Sequence, residues 1–91
     1  MTQDERKELA SWLTHEMGKA KTDEFKAGRR AVTAFQNGWE SIRVEAVGER
    51  QLAEGKLVAY IAMAHHFGLT VIEHTNLCNR LAPEMFYEVR E

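Results

Sequence analysis

The sequence predicts an all-α fold: a small single domain over residues 1–91, a bundle of about five helices with one long helix that runs from the centre of the domain to an interface. Three observations predict it. Small or apolar residues recur at alternating spacings of three and four between 25 and 46, as in a helix that packs on another helix. Two helix-start signals stand at Thr2 and Thr70, and residues 57–64 are continuously apolar. The members of the first pattern, here called the heptad stripe, are Phe25, Gly28, Val32, Phe35, Trp39, Ile42 and Ala46.

The first helix is predicted at about 3–20. Thr2 is followed three residues later by Glu5, the capping-box spacing in which each side chain satisfies a free backbone amide at the helix start. Apolar residues then recur at helical spacing and form one face. They are Leu9, Trp12, Leu13, Met17 and Ala20.

The second helix, at about 22–47, carries the heptad stripe. Thr22 can cap it, and the acidic residues that follow place negative charge in the first turn, where the helix dipole favours it. A second strip of small residues would let a neighbouring helix approach closely. This alanine strip consists of Ala27, Ala31 and Ala34.

The dipeptide Asn37-Gly38 is the weak point of this second helix. It is a common turn signal, and a glycine inside a helix costs about 1 kcal/mol relative to alanine. If the helix ends there, the alternation of Ile42, Val44 and Ala46 would suit a short strand. The sequence favours the continuous helix, because the heptad spacing passes through the glycine without a shift.

The rest of the chain is predicted to form three further helices. Gly48 ends the second helix, and a third spans 50–67; its apolar run, 57–64, has no polar face, which is typical of a helix buried on every side. Gly68 is placed to cap this helix in the left-handed conformation. A second capping box, Thr70 with Glu73, predicts a fourth helix at 71–81, and Pro83 suits the first position of a last helix at 83–90.

Composition and charge indicate which classes of partner and which cell compartment to expect. Twelve basic and 14 acidic side chains give a net charge of −2, and the acidic excess falls in residues 48–91, so no strongly charged partner is indicated. The longest apolar run is far shorter than the roughly 20 residues that cross a bilayer. The polar amino terminus and the single cysteine, Cys78, fit a cytoplasmic protein. We therefore expect a soluble cytoplasmic protein without membrane contact.

Trp39 is the strongest candidate for a partner-binding residue. With Phe35, Ile42 and Arg43 it has the composition of a binding hot spot, in which a large apolar anchor lies beside an arginine. The alternative is that Trp39 packs in the domain's own core, and the sequence does not decide between the two.

A small basic patch accompanies this candidate on the second predicted helix. Lys26, Arg29 and Arg30 lie near one side of it and could meet an acidic partner surface or nucleic acid. The commoner explanation is a solvated helix face, since Lys26 and Arg30 are four residues apart and close to Asp23.

Residues 57–81 offer an alternative function, a helix-turn-helix-like DNA-binding regulator. Phe67-Gly68-Leu69-Thr70 between two predicted helices has the form of the motif's turn. A recognition helix needs basic or amide side chains for phosphates and base edges, but no Lys or Arg occurs between Leu57 and Asn79. Nucleic acid is therefore not the expected partner.

No catalytic residues, cofactor or metal are predicted. Serine and threonine residues lack a histidine and an acid at a recognisable motif spacing. His74 and Cys78 could share a helix face and a metal, but the adjacent His65 and His66 point in different directions and cannot easily join them.

The function predicted from the sequence is that of a non-enzymatic protein-interaction module. We expect a small regulator or inhibitor that binds a larger protein, associates with itself, or does both. Small charge-balanced single domains of this kind include proteins encoded by bacteriophages.

Overall fold

Two long helices and a two-stranded antiparallel sheet make up the part of the chain that the computed structural model describes, residues 1–76 and 84–91. Helix α1 spans Gln3–Gln36 and helix α2 spans Glu40–His66. Strands β1, Thr70–Asn76, and β2, Glu84–Arg90, follow. The protein is predominantly helical, but the predicted all-α bundle of five helices is wrong.

Helix α1 begins as the sequence predicts and ends later. The Thr2 side chain accepts a hydrogen bond from the Glu5 amide, and the Glu5 side chain accepts one from the Thr2 amide, which confirms the capping box. The predicted break near residue 21 is wrong, because Thr22 lies inside the helix. No glycine or proline occurs between Lys19 and Ala27, and Lys21 forms an ion pair with Glu24 one turn later.

A glycine turn separates the two helices. Gly38 has a φ of +70°, and the amide of Trp39 donates a hydrogen bond to the carbonyl of Ala34 at 2.9 Å. The Gly38 amide donates to Phe35, which completes a Schellman motif. The predicted continuous helix over 22–47 is therefore wrong. A turn at Asn37-Gly38 was the alternative, although residues 42–46 continue as helix α2 and not as a strand.

Helix α2 ends in the same motif. Gly68 also has a φ of +70°, and the amide of Leu69 donates to the carbonyl of Ala64 at 2.9 Å. The left-handed cap predicted at Gly68 is confirmed. The predicted helix end at Gly48 is wrong, since that glycine lies inside α2.

The two strands replace the last two predicted helices. They pair antiparallel, with Thr70 opposite Arg90 and Asn76 opposite Glu84. β-Branched and aromatic residues are frequent in both segments, and such residues favour strands. The helices predicted at 71–81 and 83–90 are therefore wrong over 71–76 and 84–90, while 77–83 lie outside the described residues.

The largest buried side chains lie where the helices meet the sheet. Leu13 and Met17 of α1 are fully buried, and Leu57, Leu69 and Val89 close the cluster from α2, the turn and β2. The hydroxyl of Thr14 accepts a hydrogen bond from the Val89 amide at 2.9 Å, which ties the sheet to α1. This end of the molecule holds its hydrophobic core.

Alanines fill the interface between the helices in the rest of the hairpin. Ala27, Ala34, Ala46 and Ala53 are each at most 5% exposed, and we call them the alanine interface. The alanine strip thus supplies two of the contacts with the neighbouring helix. The heptad stripe does not, because its larger members are exposed and only Ala46 among them is buried.

The apolar run 57–64 is not buried on every side, contrary to the prediction. Leu57 and Ala64 face the core, whereas Val58 is 66% exposed and Met63 is also exposed. The physical reason is that α2 has one helix and one strand as neighbours, which cannot surround it. Within the described residues, no helix is both long and apolar enough to span a membrane.

The position of the core generates a stability prediction. Leu13→Ala should lower the free energy of unfolding by about 2–5 kcal/mol, because it leaves a cavity among fully buried side chains. Leu52→Ala is the matched control: Leu52 is 63% exposed, so the same change should cost less than about 0.5 kcal/mol. Urea unfolding followed by circular dichroism measures both, and equal losses would contradict this placement of the core.

Candidate protein-binding surface

Several exposed apolar side chains lie at and next to the turn between the helices. Val32 and Phe35 belong to the last turns of α1, Trp39 to the turn itself, and Ile42 to the first turn of α2. Phe35 is 73% exposed and Trp39 is 51% exposed. We call these four residues the hairpin tip. Three of them are predicted binding residues, and the structure brings them to one end of the molecule.

The position of Trp39 becomes clear when the two Schellman motifs are compared. Trp39 and Leu69 follow the glycine of their motifs at equivalent positions, and each donates its amide to an alanine carbonyl. Leu69 is buried in the core under the sheet, but Trp39 has nothing comparable above it within the described residues. Trp39 is therefore a surface residue, and the alternative of a core tryptophan is not supported.

Charged residues of both signs border the hairpin tip. The Arg43 Nε donates to a Glu40 carboxylate oxygen at 3.1 Å, one turn away on the same helix. This hydrogen bond, together with the positive charge, holds the pKa of Glu40 below its ordinary value. The border of the tip is consequently an ion pair, and it gives no net attraction for a strongly charged partner.

The three residues of the predicted basic patch have different environments. Arg30 reaches across to α2, where it contacts Glu49 at 3.1 Å and Glu45 at 3.5 Å. The Arg29 guanidinium lies 5.8 Å from the centre of the Phe25 ring, and Lys26 borders a shallow groove between the helices. Arg30 thus stabilises the hairpin and is largely neutralised, so these residues do not form a continuous basic surface.

The start of the recognition helix that the helix-turn-helix alternative requires is a strand in the structure. Residues 70–76, which would begin that helix, form β1 and pair with β2. The remaining positions, 77–81, lie outside the described residues. The turn at Gly68 therefore joins a helix to a strand, which is not the geometry that places a helix in a major groove.

The His74 side chain, on β1, contacts two residues of the neighbouring strand β2. Its Nε2 is 2.9 Å from a Glu88 carboxylate oxygen, and its ring stacks on Phe86 with centroids 4.9 Å apart. Among the described residues, no three potential ligands are grouped to hold a metal ion. Cys78, which the sequence pairs with His74 as a possible metal ligand, lies outside the described residues.

A groove of about 820 Å³ between α1 and β2 is a feature that sequence reasoning missed. Phe25 and Phe86, both about half exposed, lie on its walls together with Tyr87, and Gly18 leaves open space beside α1. The helix predicted over 83–90 hid this feature, because the groove exists only where β2 packs along α1.

Comparison of the chain with protein-family models, curated proteins and solved structures gave no match. The interpretation of the hairpin tip therefore depends on its own geometry.

The Glu40–Arg43 pair generates a pH prediction. A carboxylate whose folded pKa is lowered stabilises the fold above its ordinary pKa of 4.5, and that contribution is lost as the pH falls through the lowered value. Arg43→Gln removes both the positive charge and the charged hydrogen-bond donor, so it should raise the pKa of Glu40 toward its ordinary value. Carbon-detected NMR titration of the carboxyl groups measures this change.

Glu88 provides the internal control for this titration. Its pKa is also lowered, mainly by a hydrogen bond from Arg90 and then by one from His74, and neither partner is changed in the Arg43→Gln protein. An unchanged Glu40 midpoint, or a parallel change at Glu88, would contradict the local origin of the shift.

Proposed function

We propose that the chain is a non-enzymatic protein-binding module, a small regulator or inhibitor, that presents the hairpin tip to a larger protein. The observation that carries this proposal is the exposure of Phe35 and Trp39 at a turn with a fixed backbone. Aromatic side chains that enter a partner's pocket contribute most of the energy in many protein interfaces.

Hydrogen bonds and close helix packing hold the backbone that supports the tip in one conformation. The Schellman motif fixes the turn by two hydrogen bonds, and the alanine interface lets the helices pack closely directly below it. Arg30 joins the helices about two turns further down through Glu45 and Glu49. A surface that is ordered before binding loses less conformational entropy when it meets its partner, which favours affinity.

The chemistry of the tip favours a protein over a nucleic acid. Its centre is apolar and its border is an ion pair, which suits an apolar pocket with a polar rim on another protein. Nucleic-acid binding needs cations that are free to contact phosphates, whereas Arg30 and Arg43 are paired with carboxylates. The net charge of −2 also gives no general attraction to phosphate.

Trp39→Ala tests the proposal. It should weaken binding to the partner by about 2 kcal/mol or more, roughly 30-fold in Kd, because a large apolar anchor is removed. Immobilised wild-type protein would capture the partner from nuclease-treated lysate of the source cells, and calorimetry would then measure the affinity of each variant.

Leu52→Ala is the matched control, since Leu52 is also more than half exposed but lies far from the tip along α2. It should leave the affinity unchanged, and circular dichroism should show full helicity for both variants. A Trp39→Ala protein that is folded and binds as tightly as the wild type would refute the role of the tip.

A nucleic-acid titration supplies a second test. We expect no sequence-specific duplex binding at about 150 mM salt, and any binding at low salt should disappear as salt rises, because Arg30 and Arg43 near the tip are already paired with carboxylates. Fluorescence anisotropy against random and selected duplexes at two salt concentrations measures this. Tight binding that persists at the higher concentration would overturn the protein-binding proposal.

A further inference from the structure

In the two-stranded sheet, β1 pairs on one side only, and one hydrogen bond on β2 shows how its other side is oriented. The Val89 amide donates to the Thr14 hydroxyl of α1, so this amide points away from β1. Val71 is the residue opposite Val89 in the register. In an antiparallel pair, opposite residues either exchange both of their backbone hydrogen bonds or exchange neither. The N–H and C=O groups of Val71 therefore point away from β2.

The same orientation recurs at every second residue of β1. Bonded and non-bonded pairs alternate along an antiparallel ladder, so Glu73 and Thr75 also direct their backbone groups away from β2. We call the backbone N–H and C=O groups of Val71, Glu73 and Thr75 the outer edge. Within residues 1–76 and 84–91, no backbone group bonds to this edge. The corresponding edge of β2, by contrast, is occupied at Val89 by Thr14.

The binding partner that matches the outer edge is another extended strand. Its donors and acceptors recur at every second residue, about 7 Å apart, which is the repeat of a strand backbone. Such an edge is a template for a further strand, and natural proteins commonly block it with proline, lysine or a bulge. β1 contains neither proline nor lysine, and its register with β2 is continuous. The chemistry of the edge thus specifies a strand as its partner.

The β1 strand of a second copy fits the outer edge in one antiparallel register. When Ile72 lies opposite Ile72 of the other copy, Val71 of each copy pairs with Glu73 of the other, and both residues belong to the outer edge. The isoleucines then form a non-hydrogen-bonded pair, in which side chains approach most closely. β-Branched apolar side chains are well suited to such a position.

Two neighbouring registers are less favourable. Centring the pair on Glu73 would place two carboxylates directly opposite each other, which is destabilising. Centring it on His74 would oppose two imidazole rings in place of two isoleucines, and each ring already contacts Glu88 and Phe86 of its own chain. The side chains of β1 therefore select the register about Ile72.

We infer that this protein forms a homodimer in which the outer edges of two copies pair antiparallel about Ile72. Each copy contributes its two strands to one continuous sheet. An isolated two-stranded sheet is only marginally stable, and further strands stabilise it. The interface belongs to the sheet and contains neither Phe35 nor Trp39. The dimer is therefore independent of the proposed function of the hairpin tip.

Amide hydrogen exchange of the wild-type chain tests the outer edge directly. The Val71 and Glu73 amides should exchange at least tenfold more slowly at about 1 mM than at about 10 μM, because the dimer gives them acceptors. The Ile72 and His74 amides face β2 and are the internal control, since they should be protected already in the monomer. NMR resolves these amides individually.

Two results of this experiment would overturn the inference. One is a wild-type protein that sedimentation equilibrium shows to be monomeric up to about 1 mM, a concentration at which even a weak dimer is populated. The other is a dimer in which the Val71 and Glu73 amides exchange as fast as in the monomer.

A proline substitution tests the same contact. Glu73→Pro removes an amide that points away from β2, so the pairing of β1 with β2 keeps its hydrogen bonds. The dissociation constant of the dimer should rise more than about tenfold, because a backbone hydrogen bond is lost at two symmetric positions. Glu73→Gln is the matched control, since it keeps the amide and should leave dimerisation intact. A Glu73→Pro protein that is folded by circular dichroism and dimerises like the wild type would contradict the inference.

Disulfide trapping tests the register. In a Cys78→Ser background, Ile72→Cys should form a covalent dimer rapidly, because position 72 lies opposite itself across the pair. Thr70→Cys is the matched control on the same face of β1. Position 70 faces His74 of the other copy, so the two cysteines would be about 14 Å apart and should not be linked. Equal cross-linking of both variants would indicate a parallel pair, and a dimer without cross-linking at position 72 would place the second copy elsewhere; either result overturns the inference.

Discussion

A two-helix hairpin gives each helix only one helical neighbour, and the rest of this structure depends on that constraint. Each helix meets one other helix, so only one side of it can be buried along most of its length. In this chain alanines occupy that side, from Ala27 to Ala34 on α1 and from Ala46 to Ala53 on α2. The larger apolar residues on the other sides of the helices are consequently exposed, as Val32 and Phe35 of the hairpin tip show.

The sheet changes this situation at one end of the molecule only. There β2 packs along α1 and Leu69 closes the turn, so that Leu13 and Met17 have neighbours on all sides. Large buried side chains stabilise more than alanines, because they remove more apolar surface from water. We therefore expect hydrogen exchange to be slowest around Leu13 and faster toward the hairpin tip.

Local signals in the sequence were reliable where the backbone alone determines the structure. The capping box at Thr2 and the left-handed Gly68 required no tertiary information. Asn37-Gly38 is also a local turn signal, but the prediction favoured a continuous helix through it and was wrong. The helix face was harder to predict, because the first part of the heptad stripe and the alanine strip both lie on α1 at similar spacings. The size of the side chains favours the heptad stripe as the packing face, whereas the close approach of the two helices selects alanine. The strands were missed because Thr70 and Glu73 imitate a helix start, and the exposure of Trp39 depends on whether anything covers the turn.

The alanine interface also has an implication for how such proteins can change in length. Ala27 and Ala34 are seven residues apart, as are Ala46 and Ala53, so the packing repeats after two helical turns. Seven residues added to each helix would keep alanine opposite alanine and would move the tip about 10 Å away from the core. The tip and the core could then be retained unchanged while the arm between them is lengthened or shortened in steps of one heptad. The distance between a folded base and a binding end is thus a quantity that evolution or design can adjust independently of both.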